Sequence, residues 1–225
     1  AELSKDREVK SLPGGVLRST DADGYPISFQ LSIRRPIDPP HHGANVPGLP
    51  AGRPINDTAA DDNERPTPCT LSHVVAFTAD KGRAVRFYTE RLGFRLTDEF
   101  TDLGPFMRPG GTDDHHTLFL IQTPGTPPVG LQHFTFHFAA VNEYLKAGWH
   151  FADKGYRSAW GPGRHVFGSN YFWYFHSPFG GLIEFDADMD RHDDTWQPRR
   201  LPVTEDTTQT FLLQYTKKWR PGGPH

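Results

Sequence analysis

Two histidines and one glutamate occupy corresponding places in a repeated sequence pattern. His73 lies in the segment TLSHVVAF, His133 lies in GLQHFTFHF, and Glu184 lies in GGLIEF. Two imidazoles and one carboxylate can bind one face of a divalent metal ion and leave the opposite face open, which is typical of non-haem Fe(II) sites that react with oxygen. A carboxylate flanked by Leu, Ile and Phe is costly to bury unless a cation compensates its charge. The three residues therefore predict a metal site if the fold brings them together.

The elements that must position these residues form two copies of a strand–helix–strand–strand–strand unit, at 70–125 and 130–187. In the first copy we expect a strand at 70–76, a helix at Lys81–Leu92, and strands at Phe94–Phe100, near Phe106 and at Thr117–Gln122. In the second copy we expect a strand at 131–138, a helix at Ala140–Lys154, and strands around Ser158, at Tyr171–His176 and at Leu182–Asp186. Asp80 is suited to cap the first helix and Gly93 to end it.

This repeat gives a physical reason for the three residues to converge. Equivalent strands of two repeated units commonly pack around a pseudo-twofold axis, which would place His73 beside His133. Alternate residues of a strand share one face, so His133, Thr135 and His137 point the same way. Glu184 would lie beside His133 on the same sheet. The alternative is three unrelated polar residues on half-buried strands.

The segments outside the two repeated units predict other structures. Residues 1–35 resemble the trailing strands of a further, truncated N-terminal unit, in which Ser28 stands where Glu184 stands in the last unit. Residues 36–69 are rich in Pro, Gly, Asn and Asp and predict a linker. A catalytic domain at 70–190 would follow, and then a polar tail at 191–225 with one strand-like stretch, Thr210–Tyr215.

Composition excludes several classes of function. The 225 residues carry a formal net charge of −3 and no dense basic stretch, so the chain does not resemble a nucleic-acid-binding protein. No apolar run approaches the roughly 20 residues that span a bilayer. The single cysteine, Cys69, cannot form an internal disulfide, and the N-terminus has no apolar signal sequence. We therefore expect a cytoplasmic protein without nucleic-acid or membrane partners, and an exposed unit edge favours a homo-oligomer.

Further motifs accompany the two histidines and the glutamate. They are FMRP at 106–109, DHHT at 114–117, and Gly163-Arg164-His165 followed by Tyr174 nine residues on and Glu184 ten beyond that. With these motifs, residues 70–186 resemble the vicinal oxygen chelate superfamily and, within it, the type I extradiol catechol dioxygenases. The SHVV and RAVRFYTERLGF segments are generic to the superfamily. After His165 the chain reads VFGSN, not the HTND of the biphenyl-diol branch, so the ring substituents of a substrate stay open.

The resemblance implies an α+β fold in which paired βαβββ modules form an open mixed β-barrel around the metal site. It implies that His73, His133 and Glu184 bind Fe(II), with Mn(II) as an alternative. It further implies that His116 manages the proton and the oxygen intermediate, and that His165 and Tyr174 hydrogen-bond substrate oxygens. The expected reaction opens an aromatic diol with O2 to a semialdehyde.

Alternatives to these roles come from the residues themselves. His115 and His116 could lie in a solvated loop beside two aspartates, and His165 follows Gly-Pro-Gly-Arg, which favours a surface loop. Tyr174 lies in an aromatic run that would suit a core, and we expect Phe172 or Trp173 from the same run to line the substrate pocket.

Two other functions compete with the dioxygenase. A glyoxalase- or epimerase-like enzyme would take a fourth ligand from the last strand of the first unit, but Thr117–Ile121 contains no carboxylate. A metal-free binding protein of the drug-sequestering type would use the same cleft without needing His, His and Glu at these positions.

Overall fold

The protein is described by a computed structural model for residues 2–31, 36, 43–59, 65–122, 124 and 129–214. The head of the chain forms a three-stranded antiparallel sheet of strands β1 (Lys10–Leu12), β2 (Val16–Thr20) and β3 (Pro26–Phe29), preceded and interrupted by 3₁₀ turns at Leu3–Lys5 and Pro13–Gly15. Much of the expected linker, including His41 and His42, lies outside the described residues. Treating the head as part of a further unit stays a proposal.

Two βαβββ units follow. The first contains β4 (Thr70–Phe77), α1 (Lys81–Arg86), β5 (Phe94–Phe100), β6 (Gly104–Pro109) and β7 (Leu118–Ile121). The second contains β8 (Gly130–His137), α2 (Val141–Asp153), β9 (Ser158–His165), β10 (Tyr171–His176) and β11 (Leu182–Ala187). The tail adds β12 (Arg199–Leu201), α3 (Glu205–Thr208) and β13 (Gln209–Leu212).

The two units are joined side by side in one mixed sheet with the order β12-β5-β6-β7-β4-β8-β11-β10-β9-β13. Strands β4 and β8 pair antiparallel at its centre, and each pairs in parallel with the last strand of its own unit, β7 or β11. Because the two halves are built alike and meet through antiparallel first strands, they are related by a pseudo-twofold axis. The expected α+β fold of paired βαβββ modules is confirmed.

The tail shows that this sheet is strongly curved. Strand β12 pairs with β5 at one edge, and β13 pairs with β9 at the other. Ten strands spaced by about 4.8 Å would hold the edges of a flat sheet about 43 Å apart, yet residues 202–208 can span at most about 29 Å. The sheet must therefore curl into an open barrel. Only the second tail strand was expected from the sequence, and Tyr215, its predicted end, lies outside the described residues.

The first helix differs from the expectation in its second half. Asp80 caps it as predicted, accepting a hydrogen bond from the Arg83 backbone N–H at 2.9 Å, and Gly93 ends the segment with φ of 73°. The α-helix stops at Arg86, however, and residues 87–91 form a π turn. In this wider turn the adjacent rings of Phe87 and Tyr88 are both buried.

Helix α2 covers the strands of the second unit. Tyr144 is fully buried and donates its hydroxyl to the Phe172 carbonyl at 2.8 Å. Gly148 faces the ring of Trp173, where a Cβ atom would lie 2.1 Å from Cε3, so the helix and sheet approach closely only because this residue is glycine. With 13 residues, α2 is the longest helix among the described residues. No helix among those residues is long and apolar enough to cross a membrane.

Candidate metal centre

The three predicted ligands come together on the concave face of strands β4, β8 and β11. Thr135 of β8 lies opposite His73 of β4 and, on its other side, opposite Glu184 of β11. His133 is two residues before Thr135 and so shares its face. The registers of two neighbouring strands thus place one carboxylate and two imidazoles around a single threonine.

The potential ligand atoms are close enough to share one ion. The His73 Nε2 atom lies 2.8 Å from Glu184 Oε2, and the His133 Nε2 atom lies 3.2 Å from the same oxygen. The two Nε2 atoms are 3.4 Å apart, and one ligand atom from each of the three residues lies within 4.8 Å of the others. All three side chains are buried, and Glu184 is completely so.

The groups behind the two imidazoles orient them as ligands. The amide oxygen of Gln132 contacts His133 Nδ1, and because an amide oxygen only accepts, Nδ1 carries the proton and Nε2 keeps its lone pair. Ser72 Oγ lies 3.1 Å from His73 Nδ1 and 3.5 Å from the Thr135 carbonyl, so it can accept from the ring and donate to the carbonyl. Such partners are usual for metal-binding histidines.

Thr135 connects the carboxylate to the first histidine. Its hydroxyl donates to Glu184 Oε2 at 2.6 Å and lies 2.8 Å from His73 Nε2. The other carboxylate oxygen, Oε1, is buried without a hydrogen-bond partner among the described residues. A divalent cation would satisfy this oxygen and both Nε2 lone pairs, so the donor set fits the metal that the sequence predicts.

The protonation states also suit a metal site. Burial alone would raise the pKa of Glu184, but the neighbouring imidazoles of His73, His133 and His165 outweigh it and hold the pKa well below its usual range. Burial lowers the pKa of His133, which favours its neutral form. An ionised carboxylate and neutral imidazoles are the forms that bind metal ions.

A cavity opens beside this cluster, and His116, His165 and Tyr174 line it together with His73 and His133. It encloses about 720 Å³ including its mouth. The His165 Nε2 atom lies 3.2 Å from the Tyr174 hydroxyl and 3.5 Å from Glu184 Oε1. The His116 ring lies 4.2 Å from the His73 ring, centroid to centroid. Five of the six residues singled out in the sequence therefore line one cavity, and the sixth, Glu184, contacts three of them: His73, His133 and His165.

Two of the alternative interpretations are wrong. His115 and His116 are 0% and 4% exposed, so they do not lie in a solvated loop. Burial, reinforced by the neighbouring imidazoles of His73 and His115, lowers the pKa of His116 well below its ordinary value. His165 is the last residue of β9 and not part of a surface loop, and its Nδ1 contacts the Thr208 carbonyl at 3.0 Å.

The apolar wall of the cavity comes mainly from the first unit and not from the aromatic run of β10. Its principal residues are Val75, Phe100, Leu103, Phe106, Phe119 and Phe167. The expectation for Phe172 and Trp173 is wrong, because neither lines the cavity. Strand alternation turns Trp173 towards α2, and Phe172 stacks behind His165 with centroids 4.0 Å apart. Trp160 takes the expected place, stacked on Tyr174.

The sequence alone missed several polar residues of the site. These residues are Asp98, His115 and Gln132. The sequence also did not show that Thr135 bridges two of the candidate ligands. Thr135 was recognised as sharing the face of His133, which is a sufficient signal for proximity. Asp98 gave no such signal, because its partner His115 follows 17 residues later on a different segment.

The chain belongs to the Glyoxalase/Bleomycin resistance protein/Dioxygenase superfamily, whose sequence model matches residues 70–185. A similar relative is metapyrocatechase 2 of Cupriavidus necator, 37% identical over 147 residues, which cover 65% of this chain and 45% of that protein. The chain thus spans less than half of this relative's length.

Solved structures share the fold. The 2,2',3-trihydroxybiphenyl 1,2-dioxygenase of Sphingomonas wittichii strain RW1 superposes with a TM-score of 0.69 at 18% identity, covering 95% of this chain and 72% of that one. The Mn(II)-bound glyoxalase of Novosphingobium aromaticivorans gives a TM-score of 0.67 at 22% identity, covering 93% and 64%. Likeness at these identities concerns the fold, and it extends to enzymes of different chemistry.

Proposed function

We propose that this chain carries the catalytic site of an extradiol dioxygenase, which cleaves a catechol-type aromatic diol with O2 to a ring-opened semialdehyde. The observation that carries the proposal is the cluster of His73, His133 and Glu184, which opens into a cavity whose other polar groups include His116, His165 and Tyr174. The likeness to metapyrocatechase 2 supports this choice within the superfamily.

His73, His133 and Glu184 would hold the metal. Bound there, Fe(II) would offer open positions where a diol oxygen can bind as an anion and meet dioxygen, and Mn(II) accepts the same ligands. Histidines bind a metal as neutral imidazoles and glutamate binds it as a carboxylate, so the three ligands would contribute one negative charge in total. A residual positive charge therefore remains to attract the diol.

The three remaining polar side chains would handle protons and orient the diol. A diol that binds as an anion must lose a proton, and the buried, neutral imidazole of His116 is positioned to accept it. The pair of His165 and Tyr174 presents a ring nitrogen and a hydroxyl 3.2 Å apart, so it can hydrogen-bond the substrate oxygens. Burial and the Glu184 charge raise the pKa of Tyr174 far above its usual value, which keeps its hydroxyl protonated as a donor.

The shape and polarity of the cavity support an aromatic substrate. Phe106 and Phe119 stack with centroids 3.9 Å apart and line the cavity, where Phe106 also lies edge-on to the His116 ring. A planar ring can lie against these aromatic side chains while its hydroxyls face the histidines.

The two rival functions find less support. A fourth ligand from β7, as in a glyoxalase-like site, would need a polar side chain, but this strand reads LFLI. Among the described residues the cluster contains three members only. A metal-free binding protein has no use for a fully buried, ionised carboxylate with an oxygen that receives no hydrogen bond from the described residues.

The proposal is tested by oxygen uptake of anaerobically metal-loaded protein with a panel of substituted catechols, with absorbance following the coloured ring-opened product. Glu184→Ala should abolish uptake and metal binding together. Glu143→Gln is the matched control, because Glu143 is also a buried carboxylate but lies on α2, outside the site. Stoichiometric metal without uptake on any diol would point to a different reaction. Absence of metal binding would favour the binding protein.

A cytoplasmic location and self-association belong to the same proposal. The free thiol of Cys69 suits a reducing compartment. Light scattering of the purified chain would measure the oligomeric state directly.

A further inference from the structure

A chain of hydrogen bonds connects the tail strand β12 to the cavity. Arg199 binds Asp98, Asp98 contacts His115, and His115 contacts His116. Asp98 and His115 are completely buried, and neither belongs to the candidate ligands or to the groups that line the cavity. A buried charged network that ends on a proposed proton acceptor requires an explanation beyond packing.

In this hydrogen-bond network, Asp98 is an ionised acceptor. Its Oδ1 accepts from the Arg199 backbone N–H at 2.8 Å, and its Oδ2 accepts from Arg199 Nη2 at 2.5 Å. Burial would raise the pKa of Asp98, but the hydrogen bonds from His115 and Arg199 lower it overall. An ionised carboxylate offers no proton, so the nitrogen that contacts it must carry one.

The position of each ring proton follows from this starting point. His115 Nε2 lies 2.9 Å from Asp98 Oδ2 and is therefore protonated. Burial lowers the pKa of His115, so the ring is neutral and its Nδ1 keeps a lone pair. His115 Nδ1 lies 2.9 Å from His116 Nδ1, and two lone pairs cannot face each other at this distance. His116 must therefore carry its proton on Nδ1.

We propose that Asp98, acting through His115, fixes the tautomer of His116 so that its Nε2 presents a lone pair rather than an N–H group to the substrate. Asp98 and His115 are thus positioning residues for the proposed reaction, on which this inference rests. In the step concerned, the O–H bond of the diol breaks and leaves its electron pair on oxygen. The proton bonds to the lone pair of His116 Nε2.

The Asp98→Asn variant should reverse this arrangement. The guanidinium of Arg199 is 39% exposed and can turn to solvent, whereas its backbone N–H is fixed and needs an acceptor. The amide oxygen will therefore stay with the backbone N–H, and the amide NH2 will face His115 Nε2. His115 must then carry its proton on Nδ1 and donate to His116, which leaves the His116 proton on Nε2. The variant enzyme would present a donor where the substrate needs an acceptor.

A second substitution separates this effect from loss of structure. His115→Phe keeps a ring of similar size but breaks the connection, so His116 can adopt either tautomer. The double variant should therefore work better than Asp98→Asn alone, because a free tautomer is better than the wrong one. Glu99→Gln is the matched control, since Glu99 and Arg200 form the neighbouring ion pair across the same two strands but do not touch His115.

The experiment uses metal-loaded protein and two measurements. Anaerobic binding of 4-nitrocatechol reports proton loss through its visible absorption band, and steady-state oxygen uptake gives kcat and KM. We expect the wild type to bind the probe with both hydroxyls ionised. Asp98→Asn should bind it without the second ionisation and lose about 100-fold in kcat, with little change in KM. His115→Phe and the double variant should each lose about three- to tenfold in kcat, because an unconstrained His116 adopts the productive tautomer only part of the time.

The possible contrary results are distinct. Full ionisation of the probe by Asp98→Asn, or a double variant no more active than Asp98→Asn, would overturn the inference and leave the proposed function standing. A wild-type protein that binds metal but does not ionise the probe would overturn the proposed function and this inference with it. If Asp98→Asn does not fold, His115→Phe decides alone, because unchanged ionisation and kcat would overturn the inference.

Discussion

Replacement of Thr135 by valine should weaken metal binding without disturbing the fold around the site. Thr135 is fully buried, and its hydroxyl donates to the Glu184 carboxylate at 2.6 Å. Valine has nearly the same shape, so no cavity is created, but one hydrogen bond to a charged group is lost. Such a bond contributes about 1.5–3 kcal/mol.

This energy can be converted into an affinity. Since about 1.4 kcal/mol corresponds to tenfold, the loss predicts a dissociation constant for Mn(II) or Fe(II) about 10- to 150-fold higher than that of the wild type. The reason is that Thr135 holds Glu184 in the orientation shared with His73, and a carboxylate free to rotate must be ordered again when the metal binds. Partners of metal ligands have effects of this size in other sites.

The assay is competition for the metal with a chromophoric chelator under anaerobic conditions. Thr97→Val is the matched control, because Thr97 is about as buried and donates to the Phe106 carbonyl at 3.0 Å rather than to a candidate ligand. Thr135→Ser keeps the hydroxyl and should bind nearly as the wild type does. If Thr135→Val binds metal as tightly as Thr97→Val, Thr135 does not orient the carboxylate and the reasoning fails.

Three other substitutions test separate parts of the molecule. Tyr174→Phe should lower kcat for catechols about tenfold or more while metal affinity stays the same, and a parallel loss of metal would contradict its proposed role. Gly148→Ala should lower the free energy of unfolding by about 1–3 kcal/mol in urea titrations, because its methyl group would overlap Trp173. For His137, burial lowers the pKa but the Asp186 carboxylate at 2.8 Å raises it overall. The stabilisation by this pair is therefore complete below the unfolded pKa of histidine and is lost as pH rises, so His137→Gln should cost more stability at pH 5.5 than at pH 8.

Much of the fold and the candidate ligands could be predicted from sequence because both follow from short-range patterns. Strand alternation around His133 and the matching repeat around His73 define the central pair of strands, and Glu184 follows from the parallel strand of the same unit. The helix cap at Asp80 and the stop at Gly93 depend only on neighbouring residues, and both were predicted correctly.

The parts that could not be predicted depend on contacts between distant residues. Strand β12 has three residues and no apolar alternation. It forms because Arg199 binds Asp98, which lies about 100 residues earlier in the sequence. The π turn at 87–91 reflects the burial of two adjacent rings against the head of the chain, which helical periodicity does not encode. The lining of the cavity was misassigned because a run of aromatic residues does not reveal which face of the strand looks inward.

In the proposed dioxygenase, the short tail between the two edges of the sheet would make metal binding and turnover separable properties. At the start of this tail, Arg199 binds Asp98, the first member of the hydrogen-bond network that ends on His116. Near the end of the tail, the Thr208 carbonyl lies 3.0 Å from His165 Nδ1. The candidate ligands lie instead on β4, β8 and β11, and neither tail strand pairs with these three strands. We therefore expect that proteolytic cleavage within residues 202–208 leaves the candidate metal ligands in place. The same cleavage would disconnect the two groups that position His116 and His165.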